Sequence, residues 1–306
     1  MKIFNGFASL VLAAATVATL SAETHCPGNI TGVPLQNVNH NQILVAVSVN
    51  HSGPYNFLLD TGAELTIVDP SLATELHLSA QGSANVTSAG SSASTAASFA
   101  RVDLLEAGSH AVTGQTVLVF DFQSQHSANR PIRGILSEDF LGRFDVLIDN
   151  AHHLLCLDDA ATMRASVKGM RIPLVASPQS TDSQLLPGRL IVAVRIPDAA
   201  RPVLLKLDSG ANVPLLYNVS QILTPGQLPA ASLLGNGLDG TQRGFSVLPP
   251  QKVVIGSLDL PAVSFIARRG TERNSDMAEL DGLLPTGLFR RVFIDHADRF
   301  AVLEQW

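Results

Sequence analysis

Apolar residues along this chain come in short runs broken by Gly, Pro, Asn and Ser, a pattern that predicts strands rather than helices. Ile43-Leu44-Val45-Ala46-Val47-Ser48-Val49 reads as a strand, with a turn at His51-Ser52-Gly53-Pro54. Phe57-Leu58-Leu59 then drives toward Asp60-Thr61-Gly62-Ala63. The second half repeats the order: Leu190 to Ile196 as a strand, a turn from Pro197 to Pro202, and Val203-Leu204-Leu205-Lys206-Leu207 leading to Asp208-Ser209-Gly210-Ala211. Each of these segments follows a Val/Ile-Pro-Leu triplet, Val33-Pro34-Leu35 and Ile172-Pro173-Leu174.

The repeat continues downstream. Ile132-Arg133-Gly134-Ile135-Leu136 matches Leu280-Asp281-Gly282-Leu283-Leu284, and both glycines stand 74 residues after their aspartate. A short helix and two closing strands follow in each half, ending on His153 to Leu157 and on Phe300 to Leu303. The polar stretch Asp158 to Gly188 reads as a connector, with the halves joined near residue 165. Ser79 to Ala100 and Leu234 to Thr241 are Gly- or Ser-rich middles flanked by strand patterns, so each predicts a hairpin. Gly235, Gly237 and Gly240 spell G-x-G-x-x-G, but no βαβ context surrounds them and no dinucleotide cofactor is expected.

With 306 residues, 46% of them hydrophobic and 15% charged, the chain can build two modest lobes around a sizeable core. The net charge of -6 and the lack of a Lys/Arg block argue against nucleic acid as a partner. Lys2 followed by the apolar stretch Phe7 to Leu20 reads as an export signal, residues 1–22, with cleavage after Ala22. No later stretch predicts a membrane span. Cys26 and Cys156 can pair in an exported chain or stand as unrelated thiols, and the sequence leaves both open. The histidines, His152-His153 among them, show no metal-ligand spacing and read as surface or strand-end residues. Asp149 and Asp295 read as equivalent turn residues, and Arg143, Arg290 and Arg291 as solvent-facing.

The chemistry points to Asp60 and Asp208. An unpaired carboxylate at the end of an apolar run is costly to bury. Two of them in matching segments imply two carboxylates brought to one place. Like charges that close cannot both ionise easily, so the pair holds one proton. Gly62 and Gly210 read as turn-formers that expose backbone N–H groups to the carboxylates.

These segments resemble the retropepsin-like aspartic proteases, in the fused two-lobe form found in bacterial chains. The resemblance rests on Leu58-Leu59-Asp60-Thr61-Gly62-Ala63, on Leu207-Asp208-Ser209-Gly210-Ala211 and on the Gly134 and Gly282 segments, and covers most of residues 33 to 306. It implies an all-β fold of two β-barrel lobes, 27–165 and 166–306, related by an internal pseudo-two-fold, each with a short helix near its end. It implies Asp60 and Asp208 as catalytic dyad, Thr61, Gly62, Ala63, Ser209, Gly210 and Ala211 as active-site loops, and Thr61 and Ser209 hydroxyls tying the loops together. Gly134 and Gly282 become structural glycines near the site. The implied activity is an exported (periplasmic or secreted) aspartic endopeptidase. It would take a peptide or protein in extended form, without metal or cofactor and complete as a monomer, with the two middles as flaps. The alternative is an inactive peptide- or protein-binding module on the same fold. Two departures stand out: the first flap carries no aromatic near its tip, and Ser137 stands where a Gly is common. Ala63 and Ala211 lack the hydroxyl that pepsin-like relatives often aim at the carboxylate. That lack predicts raised dyad pKa values and a weakly acidic or neutral optimum.

Overall fold

The computed structural model describes residues 25–38, 42–87, 94–122, 131–159, 161–175, 189–197, 199–217, 219–222, 231–236, 242–268 and 280–306. The expected export signal and the tips of both hairpins lie outside them. The described residues open with a short ladder of β1 (His25–Cys26) and β2 (Ile30–Thr31). The first half runs β3 (Val33–Val38), β4 (Gln42–Val49), β5 (Ser52–Leu59), β6 (Ile67–Val68), α1 (Pro70–Glu75), β7 (Ala80–Thr87), β8 (Ser94–Ala107) and β9 (His110–Val119). It continues with β10 (Gly134–Leu136), α2 (Glu138–Leu141), β11 (Asp145–Asp149) and β12 (Leu154–Asp158). After α3 (Thr162–Ser166) come β13 (Ile172–Pro173), β14 (Ile191–Val194), β15 (Val203–Asp208), β16 (Leu215–Leu216), α4 (Val219–Ile222), β17 (Ala231–Asn236) and β18 (Gln242–Val247). The chain ends with β19 (Gln251–Ile255), β20 (Leu258–Val263), β21 (Ile266–Arg268), β22 (Gly282–Pro285), a 3-10 turn at Thr286–Leu288, β23 (Arg291–Asp295) and β24 (Phe300–Glu304). The fold is mostly β with short helices, as the apolar pattern predicts. Among the described residues no helix is long and apolar enough to cross a membrane.

In the first half, β4, β5, β10, β6, β9 and β8 pair in that order, and β8 returns to β4 through Ser48↔Glu106 and Val49↔Leu105. That last pairing closes these strands into a barrel, with β7 left as an outer strand paired to β8. The second half repeats the order β14, β15, β22, β16, β21, β18, but its long strand is broken. Pro249 and Pro250 stand between β18 and β19, and a proline has no N–H to give a ladder. The ring is completed by the β19–β20 hairpin and a bridge in which Arg195 and Val254 exchange backbone hydrogen bonds of 2.8 and 2.9 Å.

The two halves are not separate bodies. Strands β13, β24 and β23 of the second half continue through β11 into β12 and β3 of the first, in one sheet. The joint is the antiparallel β11–β23 ladder, Val146↔Ile294 to Asp149↔Arg291. Both strands are apolar and almost wholly buried, as expected where a sheet is covered on both faces. The core runs through this sheet: Phe57, Leu59 and Phe140 share one cluster with Leu205, Leu207 and Phe289.

Several expectations change here. Asp149 and Asp295 end buried strands rather than turns, and each is paired: Asp149 with Arg291 at 2.8 Å, Asp295 with Arg164 at 2.9 Å. Arg291 is therefore an inter-half bridge and not a solvent-facing charge, while Arg143 is exposed as expected. His296 is no surface residue. Its ring lies between the Phe144 carbonyl at 2.7 Å and Glu138 at 3.0 Å, across the two halves. Part of the expected connector is helix: α3 packs Met163 into the core. The question left open at the cysteines is answered by a Cys26–Cys156 disulfide, Cα to Cα 5.8 Å, pinning the start of the chain to β12. Closing a span of 130 residues restricts the unfolded chain, an effect of about 2–5 kcal/mol.

Candidate active site

The strand that carries each aspartate is held by the strand 74 residues on. β10 lies parallel to β5, with Leu136 beside Leu59, and β22 lies parallel to β15, with Pro285 beside Asp208. Gly134 and Gly282 are required by space. A methyl at Gly134 would overlap the Phe57 ring, and one at Gly282 would overlap the Leu215 carbonyl. Each middle strand also pairs antiparallel with the strand leaving the aspartate loop, β10 with β6 and β22 with β16. Each Asp loop is thus held from both sides.

The loops then meet. Thr61 N–H donates to Ser209 Oγ at 3.0 Å, and Ser209 N–H donates to Thr61 Oγ1 at 3.0 Å. Thr61 Oγ1 donates to the Leu207 carbonyl at 3.0 Å, and Ser209 Oγ to the Leu59 carbonyl at 2.8 Å. Each hydroxyl uses its donor and one acceptor site on the opposite loop, across 146 to 150 residues of sequence. Both residues are buried.

This mesh brings Asp60 and Asp208 together. Gly62 and Ala63 N–H groups donate to Asp60 Oδ1 at 2.7 and 3.0 Å. Gly210 and Ala211 N–H groups donate to Asp208 Oδ1 at 2.8 and 2.9 Å. The glycine N–H groups reach the carboxylates as expected, but a positive φ is not what requires glycine here. Neither Gly62 nor Gly210 has a positive φ. A methyl at Gly62 would overlap the Asp208 carboxyl, and one at Gly210 the Asp60 carboxyl. Each glycine leaves room for the other half's carboxylate.

Asp60 is partly open to solvent, whereas Asp208 is 6% exposed. Burial raises both above the usual carboxylate range. Asp208 is pushed up to about 8, by burial first and then by the charge on Asp60. Burial likewise outweighs the pull of Lys206, the Gly62 N–H and a hydrogen bond with Asp208 on Asp60. With no hydroxyl at Ala63 or Ala211, each carboxylate receives only backbone donors from its own loop, but burial is the first cause of the rise.

Other residues near the site escaped the sequence reading. Asp139 accepts from Thr66 N–H at 3.0 Å and Thr66 Oγ1 at 2.6 Å, fixing the chain that leaves the Asp60 loop. Arg189 pairs with Glu64 at 2.7 Å across the halves. The Tyr217 hydroxyl is buried without a partner among the described residues, and burial and then the Asp208 charge push its pKa up. Lys206 crosses to the Asp60 loop, where Nζ donates to the Gly62 carbonyl at 2.5 Å. Its signal was in plain view as the one charge inside an apolar run. Ser137 N–H donates to Thr66 Oγ1 at 3.3 Å, so the departure there is a buried residue at the start of α2. No cluster of His, Cys, Asp or Glu among the described residues has metal-binding geometry.

Residues 45–140 match a family model described as aspartyl protease. Comparison with curated proteins finds no match. Among solved structures, the aspartic proteinase from Irpex lacteus is similar in fold at 13% identity and a TM-score of 0.50, covering 90% of this chain and 97% of that one. A retropepsin-like aspartic protease from Rickettsia conorii covers 42% of this chain and 91% of its own, at 13% identity and a TM-score of 0.30. The family match lies within the first half, and the fold of the whole is similar to that of an aspartic proteinase.

Proposed function

We propose that this chain is an exported aspartic endopeptidase in which Asp60 and Asp208 act as one dyad sharing a proton. The observation that carries the reading is reciprocal packing: each carboxyl fills the space left by the other loop's glycine, and crossed hydroxyl bonds hold the loops. Residues 27–165 and 166–306 are the two lobes in this reading, each supplying one aspartate, so one chain contains a complete site. The Cys26–Cys156 disulfide and the apolar segment before it support export to the periplasm or medium.

The chemistry follows from the charge state. The ionised carboxylate takes a proton from water as the water oxygen bonds to the scissile carbonyl carbon. The protonated carboxyl gives its proton to the carbonyl oxygen, forming a gem-diol. The carboxyl that took the water proton then gives it to the amide nitrogen, a gem-diol hydroxyl gives its proton to the other carboxylate, and the C–N bond breaks to leave an acid, an amine and a dyad that again holds one proton. The peptide lies extended, with strand-like backbone hydrogen bonds and alternating side-chain pockets. The β7–β8 and β17–β18 hairpins are the segments that would close over it.

The test is cleavage of an unfolded protein or a peptide mixture by the purified mature chain. We expect cleavage, its inhibition by a statine-type transition-state mimic, and its loss in Asp60→Asn and in Asp208→Asn. Unchanged cleavage in either variant would remove the dyad from the mechanism.

A further inference from the structure

The three residues leading to each aspartate match in apolar character except at one position. Two residues before Asp60 stands Leu58, buried with Leu44, Ile67, Leu118 and Ile135. Two residues before Asp208 stands Lys206. Along β15, Leu205 and Leu207 face the core, and Lys206 shares the alternate face with Asp208. Lys206 is 6% exposed, a depth at which a lysine needs a polar partner. That partner is the Gly62 carbonyl, in the loop of the other aspartate. The Gly62 N–H meanwhile donates to Asp60. Lys206 therefore grows from the Asp208 strand and is anchored on the Asp60 loop.

The surroundings are otherwise occupied. Glu64, on the Asp60 loop, is paired with Arg189. Tyr217, from the segment after β16, feels the Asp208 charge, which with burial pushes its pKa up. The carboxyls on which the Lys206 charge bears are those of Asp60 and Asp208. Exposure points the same way, since the more open Asp60 is better hydrated when ionised than the more closed Asp208.

We propose that Lys206 is a positioning residue that makes the dyad unequal: anchored on the Asp60 loop, its ammonium holds the shared negative charge on Asp60 and leaves the shared proton on Asp208. The proposal rests on the dyad reading and refines it. Asp60 becomes the base toward water and Asp208 the acid toward the carbonyl oxygen. A carboxyl with an opposite charge within about 4–6 Å is lowered by about 1–3 pH units, so the loss of Lys206 moves the first ionisation upward.

The test follows the aspartate carboxyl carbons by NMR during a pH titration of the whole chain, which needs no cleavage. In the wild type, Asp60 is expected to take the carboxylate shift at the first ionisation, with Asp208 following only at the second. In Lys206→Met and Lys206→Leu, the latter restoring the residue type of β5, the first ionisation rises by about 1 unit or more. In Lys206→Arg it stays near the wild-type position. On the acid limb of the rate profile, a rise of about 1 unit reads as roughly tenfold lower kcat/KM at a fixed low pH. Ionisation of Asp208 first in the wild type, or an unmoved first ionisation in a folded charge-removal variant, overturns the proposal. Should the variants not fold, the wild-type assignment decides alone. A wild type that titrates as expected but cleaves nothing would refute the endopeptidase reading and leave the role of Lys206 standing.

Discussion

Thr61→Val keeps the side chain's volume and deletes one hydroxyl. In the structure that hydroxyl accepts from Ser209 N–H and donates to the Leu207 carbonyl, both at 3.0 Å and both buried. The substitution leaves one backbone donor and one acceptor without partners in a place water does not reach. Each orphaned group costs about 1–3 kcal/mol, and small shifts of the loops recover part of it. We expect a loss of about 2–5 kcal/mol, a large share of the 5–15 kcal/mol typical of folded proteins. Ser209→Ala should act likewise, by stranding Thr61 N–H and the Leu59 carbonyl. The four bonds are distinct, but they join the same two loops. The double variant should therefore lose less than the sum, by about 0.5–3 kcal/mol. The assay is urea unfolding followed by far-ultraviolet circular dichroism, because Trp306 is 71% exposed and reports poorly on the core. A Thr61→Val chain within about 0.5 kcal/mol of wild type would refute this account of the mesh.

Two further outcomes are expected. Gly62→Ala and Gly210→Ala put a methyl where a carboxyl now sits, so each should displace the opposite aspartate and lower kcat/KM by roughly 10²-fold with unchanged circular dichroism; full activity in both would show that the carboxyls do not pack there. Burial pulls the His296 pKa down, but Glu138 and the Phe144 carbonyl outweigh it and hold it above its ordinary value. The His296 contribution to stability is then fully present below the unfolded value of about 6.5 and lost as pH rises through the folded one. Urea midpoints of wild type and His296→Gln should converge over that range; parallel curves would contradict it.

Much of this was legible because the chain states it twice. Equal spacing from Asp60 to Gly134 and from Asp208 to Gly282 announced a duplicated arrangement, and the apolar runs marked most of its strands. The functions of single residues were less legible, because they depend on what arrives from the other half. Gly62 reads as a turn-former, yet its neighbour is a carboxyl 146 residues away in the chain. Lys206 reads as an interruption in an apolar strand, and only the meeting of the loops gives it the Gly62 carbonyl. Asp149, Asp295 and His296 read as surface punctuation because the β11–β23 ladder that buries them joins segments remote in sequence. The broken second ring could have been anticipated from Pro249-Pro250, which no uninterrupted ladder accommodates.

The most direct measurement of the central claim is kcat/KM for wild type, Asp60→Asn, Asp208→Asn and the double variant on one peptide. Two carboxyls working as a unit predict a loss of roughly 10³-fold or more in each single variant, and no further loss in the double. A single variant within tenfold of wild type, or a double whose loss is the product of the two singles, would contradict it.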